Sequence, residues 1–276
     1  MICFPNAKIN IGLNIIEKRK DGFHNIQSIF YPIGLCDVLE IVESPESAEQ
    51  MGIQLTGIPV PGELNTNLCK RAYELVSKDY SVPKIKLHLH KIIPIGAGLG
   101  GGSSDAAFFL KLLNDKFELG ISWGEQHHYA RQLGSDCSFF VTNKPVYAEE
   151  KGDVYERVNL DLGGYYLLVV YPNLHVNTTE AYPGVSPQKP ASNLEEDILN
   201  GQRSHWKDLI KNDFENSVFS KHAALSGIKE TLYNLGAVYS SMSGSGSAVY
   251  GLFEKDITVP AEFENYFVWK EKLTKL

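Results

Sequence analysis

The chain has no apolar run long enough to cross a membrane, no closely spaced cysteine pair and no surplus of basic residues. Each absence removes a class. A membrane-spanning helix needs roughly 20 consecutive apolar residues, so none is expected. The opening Met1-Ile-Cys-Phe-Pro-Asn-Ala-Lys8 has no charged segment followed by an apolar one, so no secretory leader is expected. The four cysteines, Cys3, Cys36, Cys69 and Cys137, are far apart and form no C-x-x-C. That spacing suits reduced thiols in a cytoplasm better than disulfides or a zinc site. A net charge of −7 argues against a broad nucleic-acid surface, though not against a local basic pocket for phosphates. Internal repeats and low-complexity tracts are also missing.

What remains is an ordinary globular composition, 43% apolar and 21% charged over 276 residues, enough for one or two domains. Within it stands Pro94-Ile-Gly-Ala-Gly-Leu-Gly-Gly-Gly-Ser-Ser-Asp-Ala-Ala107, with five glycines between Gly96 and Gly102. Ala106, Leu110 and Leu113 then fall at helical spacing. A glycine-rich loop feeding a helix N-terminus offers backbone N–H groups, the positive end of the helix dipole and close approach for a phosphate. Ser103 and Ser104 can add hydrogen bonds or hold a magnesium ion. The Walker A pattern fails, because no lysine follows the last glycine. Gly96, Gly98 and Gly101 match G-x-G-x-x-G, with Asp115 and Glu118 near the acidic offset. That pattern needs a second parallel strand, for which only Lys116 to Leu119 is available before Ser122-Trp-Gly-Glu125 opens another helix as a capping box. A triphosphate site is the better reading.

Elsewhere, Ala7 to Ile16 alternates with period two, placing Lys8, Asn10 and Gly12 on one face of a strand. Lys18 to Gly22 reads as a turn, and Gln27–Ile33, Asp37–Glu43 and Lys84–Lys91 as strands. Helices are expected over Leu68–Ser77, after the cap candidates Asn65 to Asn67, and over Gln126–Leu133. Asp136 is expected just before an apolar strand. A break is plausible at 145–160, with a buried strand over Tyr165–Tyr171 and a long loop over 183–205. Helices are expected over Leu209–Phe219 and Ala224–Leu235, and a strand over Ala248–Phe253. The composite is α+β.

Phosphoryl transfer needs charge compensation on the moving group and a base for the acceptor hydroxyl. Lys8 and Asp136 are candidates. Each has a plain alternative: a solvent-facing strand lysine and a turn aspartate bonding nearby backbone. Ser243-Gly244-Ser245-Gly246 could supply N–H groups to a ligand or merely turn the chain. Phe23 and His24 could stack on and hydrogen-bond a base, or be an aromatic beside a surface histidine.

Taken together, these segments resemble the GHMP kinases, the family of galactokinase, homoserine kinase and mevalonate kinase, over nearly the whole chain. The resemblance is carried by Ala7-Lys-Ile-Asn-Ile-Gly-Leu13, Lys20-Asp-Gly-Phe-His24, Lys91 to Ala107, Leu133-Gly-Ser-Asp-Cys-Ser-Phe-Phe140, Asn212-Asp-Phe-Glu215 and Met242-Ser-Gly-Ser-Gly246. The extra glycine, Asp105 and the Asp-Gly-Phe-His segment narrow it to the branch acting on a cytidine diphosphate-linked methylerythritol.

The resemblance implies a two-domain fold, with a ribosomal protein S5-like N-terminal domain (1–150), a ferredoxin-like C-terminal domain (151–276) and the active site in the interdomain cleft. It implies ATP-dependent phosphorylation of that substrate's 2-hydroxyl, in the non-mevalonate route to isoprenoid precursors, with Mg2+. Asp136 would be the base and Lys8 its cationic partner. Pro94, Gly96, Gly98, Leu99, Gly100, Gly101, Gly102, Ser103 and Ser104 would hold ATP, with Asn65 toward the adenine. Phe23 and His24 would bind cytosine, and Asn10, Asp136 and Gly244 the rest of the acceptor. Relatives usually have tyrosine at the Phe23 position, so a hydroxyl is lost there. His175 and Thr178 to Tyr182 would lie near the substrate. No nucleic acid or membrane partner is implied, and a monomer or weak homodimer is expected.

Overall fold

A computed structural model describes residues 1–190 and 192–275. In chain order its strands and helices are β1 (Ile2–Cys3), β2 (Asn6–Lys18), β3 (His24–Cys36), β4 (Val38–Glu43), β5 (Met51–Gly57), α1 (Leu68–Asp79), β6 (Ile85–Lys91), α2 (Gly101–Phe117), α3 (Trp123–Leu133), α4 (Cys137–Thr142), β7 (Val146–Glu149), β8 (Val154–Arg157), β9 (Tyr166–Tyr171), α5 (Thr178–Ala181), α6 (Leu194–Leu199), α7 (Trp206–Leu209), α8 (Phe214–Lys221), α9 (Ala223–Asn234), β10 (Tyr239–Met242), β11 (Val249–Phe253) and β12 (Phe267–Lys272). They form two compact units, each built from several stretches of chain. The first holds residues 1–7, 35–95 and 100–143; the second holds 8–34, 96–99 and 144–276.

In the first unit the sheet runs β1-β4-β6-β5. β4 and β6 are antiparallel, with Leu39 opposite Leu89, and β5 lies parallel to β6. Period-two alternation sends Leu39, Ile41, Ile85, Leu87 and Leu89 to one face, where they pack on α1 (Cys69, Ala72, Tyr73, Val76) and α2 (Ala106, Phe109, Leu110, Leu113). Asn67 caps α1 by accepting from Cys69 N–H at 2.9 Å. α3 carries the expected capping box: Ser122 Oγ accepts from Glu125 N–H, and Glu125 accepts from Ser122 N–H at 2.9 Å.

The second unit has two sheets, β2-β3-β7-β8 and the antiparallel β10-β11-β9-β12. β9 is interior, and Leu167 to Val170 are fully buried. Its face packs on α8 and α9 through Leu168, Val170, Val218, Leu225, Ile228 and Leu232. β2 is buried on both faces, so its polar residues Lys8 and Asn10 are only 3% and 2% exposed.

Several expectations are corrected. Residues 137–142 form a helix rather than a strand: Cys137, Ser138, Phe139 and Phe140 are all buried against neighbouring helices, and a short apolar run carries no period that separates the two. By contrast, the rejection of the dinucleotide pattern holds: Lys116 to Leu119, the one stretch available for its second strand, is no strand, since α2 continues to Phe117 and ends at Glu118 with φ 50°. That removes the second strand a dinucleotide fold requires. The 183–205 stretch contains α6, capped by Asn193. The expected helix over 209–219 is broken, because Leu13 and Asn212 form a parallel bridge there.

Candidate active site

In the first unit, α2 opens with Gly100 at φ 73°, a left-handed conformation that a side chain disfavours. No side chain caps this end and no acidic residue occupies its first turn, so the positive end of the dipole is left for an external anion. Gly102 is exposed, and a Cβ built there would meet no atom within 4 Å. Packing does not require a glycine at that position; it leaves open space over the first helical turn. Ser103 lies beside the Cys137 thiol and hydrogen-bonds it. Ser104 is fully buried and its Oγ has no hydrogen-bond partner.

Beneath this end lies a buried charge cluster. Lys91 Nζ donates to Asp105 Oδ2 at 2.7 Å and to Asp37 Oδ2. Asp37 Oδ1 also accepts from the backbone N–H groups of Ile92 (2.5 Å) and Ile93 (2.8 Å). Burial pulls the Lys91 ammonium toward neutrality, but Asp105 and Asp37 outweigh it and raise its pKa. Burial and the Asp37 charge push the Asp105 carboxyl up to about 7, against the pull of Lys91.

Asp136 stands at the N-cap position of α4, half-buried, and its side chain does not cap that helix. Asn65 is exposed and accepts from Lys70 Nζ at 2.6 Å.

In the second unit, Lys8 is no solvent-facing strand lysine. Its Nζ donates to Asn10 Oδ1 and stands 4.7 Å from the centre of the Phe30 ring. Asn10 Nδ2 donates to Ser28 Oγ at 2.9 Å, and Tyr250 Oη donates to the Asn10 carbonyl at 2.7 Å. Asn10 N–H donates to Ser243 Oγ, which itself donates to the Gly98 carbonyl at 2.9 Å. A Cβ on Gly98 would fall 1.9 Å from the Ser243 carbonyl oxygen, so only glycine lets these segments meet. Lys8 N–H donates to the Leu99 carbonyl at 3.0 Å. The unit thus gathers Lys8, Asn10, Gly98, Leu99 and the Ser243-Gly244 turn. Asn212 Nδ2 fixes that turn by donating to the carbonyls of Met242 and Gly244, each at 2.8 Å.

His24 stacks on Tyr182 with ring centres 4.3 Å apart, and burial, then Lys18, hold its imidazole below the ordinary pKa. A neutral ring presents one donor and one acceptor. Phe23 is 56% exposed, with Lys151 Nζ 5.3 Å from its ring centre. His175 lies against Gly96, where a Cβ would be 1.9 Å from its Nδ1. The side chains of Thr178 and Thr179 lie outside the described residues. Pro94, near the start of the glycine segment, is buried.

Sequence reasoning passed over Asp37, Phe30 and the role of Lys91. For Lys91 a signal existed: it shares strand parity with Ile85, Leu87 and Leu89, which places it on the buried face. Among the described residues no group of three or more His, Cys, Asp or Glu could hold a metal. Magnesium needs only one or two protein oxygens when phosphates supply others. Ser103 and Asp136, both half-buried, fit that requirement, whereas Ser104 is fully buried and Asp105 is engaged by Lys91.

Comparison with known proteins bears on the family. The family model described as the GHMP kinases N-terminal domain matches residues 67–144, and the one described as GHMP kinases C-terminal matches 194–265. A 4-diphosphocytidyl-2-C-methyl-D-erythritol kinase of Bacteroides thetaiotaomicron is 47% identical over 275 residues, covering 99% of this chain and all of the relative. That of Parabacteroides distasonis is 48% identical over 276 residues, with the same coverage. A crystal structure of 4-(cytidine 5'-diphospho)-2C-methyl-D-erythritol kinase superposes with a TM-score of 0.74 at 30% identity, covering 91% of this chain and 90% of that one. With its α+β architecture and both family domains in order, the chain belongs to the GHMP kinases, in the 4-diphosphocytidyl-2-C-methyl-D-erythritol kinase branch.

Proposed function

We propose that the chain transfers the γ-phosphoryl group of ATP to the 2-hydroxyl of 4-diphosphocytidyl-2-C-methyl-D-erythritol, giving the 2-phosphate and ADP. The observation that carries this reading is identity of 47–48% along the full length of relatives bearing that name. Gly96, Gly98 and Gly100 to Ser104 bind the nucleotide's phosphates at the head of α2, with Pro94 and Leu99 shaping the segment and Asn65 on the adenine side. Asp136 accepts the proton of the attacking hydroxyl, and Lys8, held by Asn10, stabilises negative charge on the transferred group. Asn10 and Gly244 hold the acceptor. His24 reads cytosine by hydrogen bonds and Phe23 contributes apolar surface without the hydroxyl that relatives carry. Mg2+ enters with the nucleotide, held by Ser103 or Asp136, and neutralises phosphate charge.

The division into family domains of 1–150 and 151–276 is supported by model matches at 67–144 and 194–265. No helix among the described residues is long and apolar enough to cross a membrane. The enzyme works in the cytoplasm as a monomer or weak homodimer, without nucleic-acid or membrane partners.

A coupled ADP-release assay with the cytidine diphosphate-linked acceptor, run beside mevalonate, homoserine and galactose, tests the proposal. Turnover with the first alone is expected. Turnover with one of the others instead would move the chain to a different acceptor, and none with any would remove the activity.

A further inference from the structure

Ser28 on β3 has none of the roles assigned above, yet it heads a chain of buried polar groups that ends on Lys8. Its Oγ donates to the Gly12 carbonyl at 2.6 Å and accepts from Asn10 Nδ2 at 2.9 Å. Asn10 Oδ1 accepts from Lys8 Nζ. Ser28 is fully buried, Asn10 is 2% exposed and Lys8 3%. Proton counting sets the direction of this chain. A hydroxyl has one proton, a carbonyl oxygen only accepts and an ammonium only donates. Gly12 takes the Ser28 proton, so toward Asn10 the hydroxyl is an acceptor and needs the NH2 end of the amide. The amide oxygen is thereby turned to Lys8. With the amide flipped, its NH2 would face the ammonium, donor against donor, and its oxygen would face a hydroxyl whose proton is already placed. Ser243 Oγ lies 3.5 Å from Asn10 Oδ1 but gives its proton to the Gly98 carbonyl at 2.9 Å, so it does not choose between the two ends.

We propose that Ser28 is a positioning residue for phosphoryl transfer: its hydroxyl locks the Asn10 amide with the oxygen toward Lys8, and through that contact aims the ammonium. The proposal rests on the kinase reading above, in which Lys8 meets the charge on the transferred group. A lysine ammonium is a compact charge on a flexible stem. It stabilises a developing charge best when its place is set before the reaction begins. Ser28, being fully buried, offers no surface to either substrate and acts only through its neighbours. The backbone of Asn10 is held separately, its N–H by Ser243 and its carbonyl by Tyr250. Loss of the Ser28 hydroxyl therefore releases the amide side chain and leaves these backbone contacts in place.

The test is a double-mutant cycle on the full chain, read by steady-state ADP release at saturating acceptor, with wild type, Ser28→Ala, Asn10→Ala and the two combined. Ser28→Ala should lower kcat about ten- to hundredfold, while the KM for ATP stays within about twofold of wild type. Asn10→Ala should lower kcat at least as far. In that background the amide that Ser28 orients is gone, so adding Ser28→Ala should change kcat by less than about twofold. A merely structural serine would give losses that multiply. A thermal unfolding curve checks that Ser28→Ala is folded, and Ser28→Cys, whose thiol is a weak donor and acceptor, serves if it is not. An unchanged kcat in the single variant, or a loss that recurs in full in the Asn10→Ala background, overturns the proposal. A wild type that releases no ADP with any acceptor overturns the kinase reading itself, and the role of Ser28 in transfer falls with it.

Discussion

An ammonium group inside a protein is tolerated only where other groups replace its hydration, and this chain buries two such lysines, Lys8 and Lys91. Lys91 is held by two carboxylates, an arrangement suited to a fixed structural charge. The contacts of Lys8 include an amide oxygen and an aromatic face, which orient its ammonium. Asp136 differs again: it is half-buried at a helix start and does not cap it. If it is the general base, Asp136→Asn keeps the shape and removes the proton acceptor. Turnover should then fall by about 10²- to 10⁴-fold with the ATP KM nearly unchanged, measured by steady-state ADP release. Near-normal turnover would take the role from Asp136.

At the scale of elements, local chemistry decides what could be foreseen. The α3 capping box was legible because its two hydrogen bonds join residues three apart. Ser122→Ala should cost about 0.5–2 kcal/mol in urea unfolding, with an unchanged dependence on urea; no measurable loss would mean the box is redundant. The glycine segment and the α2 face were legible for the same local reason. The helix at 137–142 was not, because four successive buried residues show no period. Nor was the break at Ile210–Asp213, which is imposed by Leu13 pairing with Asn212 nearly 200 residues away. The partners that hold site residues, such as Ser243 for Asn10 and Tyr182 for His24, were equally hidden, since contacts between distant positions leave no trace in spacing. The residue types of the site were visible; what fixes them in place was not.

At the scale of the molecule, the compact units are interleaved along the chain, with boundaries at 7/8, 34/35, 95/96, 99/100 and 143/144. No single cut separates them. A fragment of residues 151–276 would lack β2, β3 and β7, leaving β8 without the rest of its sheet. Such a fragment should show no cooperative thermal transition by circular dichroism; a sigmoidal transition would mean that the C-terminal half folds independently. The hydrogen bond from Tyr250 to Asn10 carries this further, for its partners are 240 positions apart. A ribosome makes Asn10 well before Tyr250. The strand bearing Lys8 must therefore wait, its polar side without its final partners, until the intervening residues have emerged, and this unit matures slowly because its closing contact spans 240 positions.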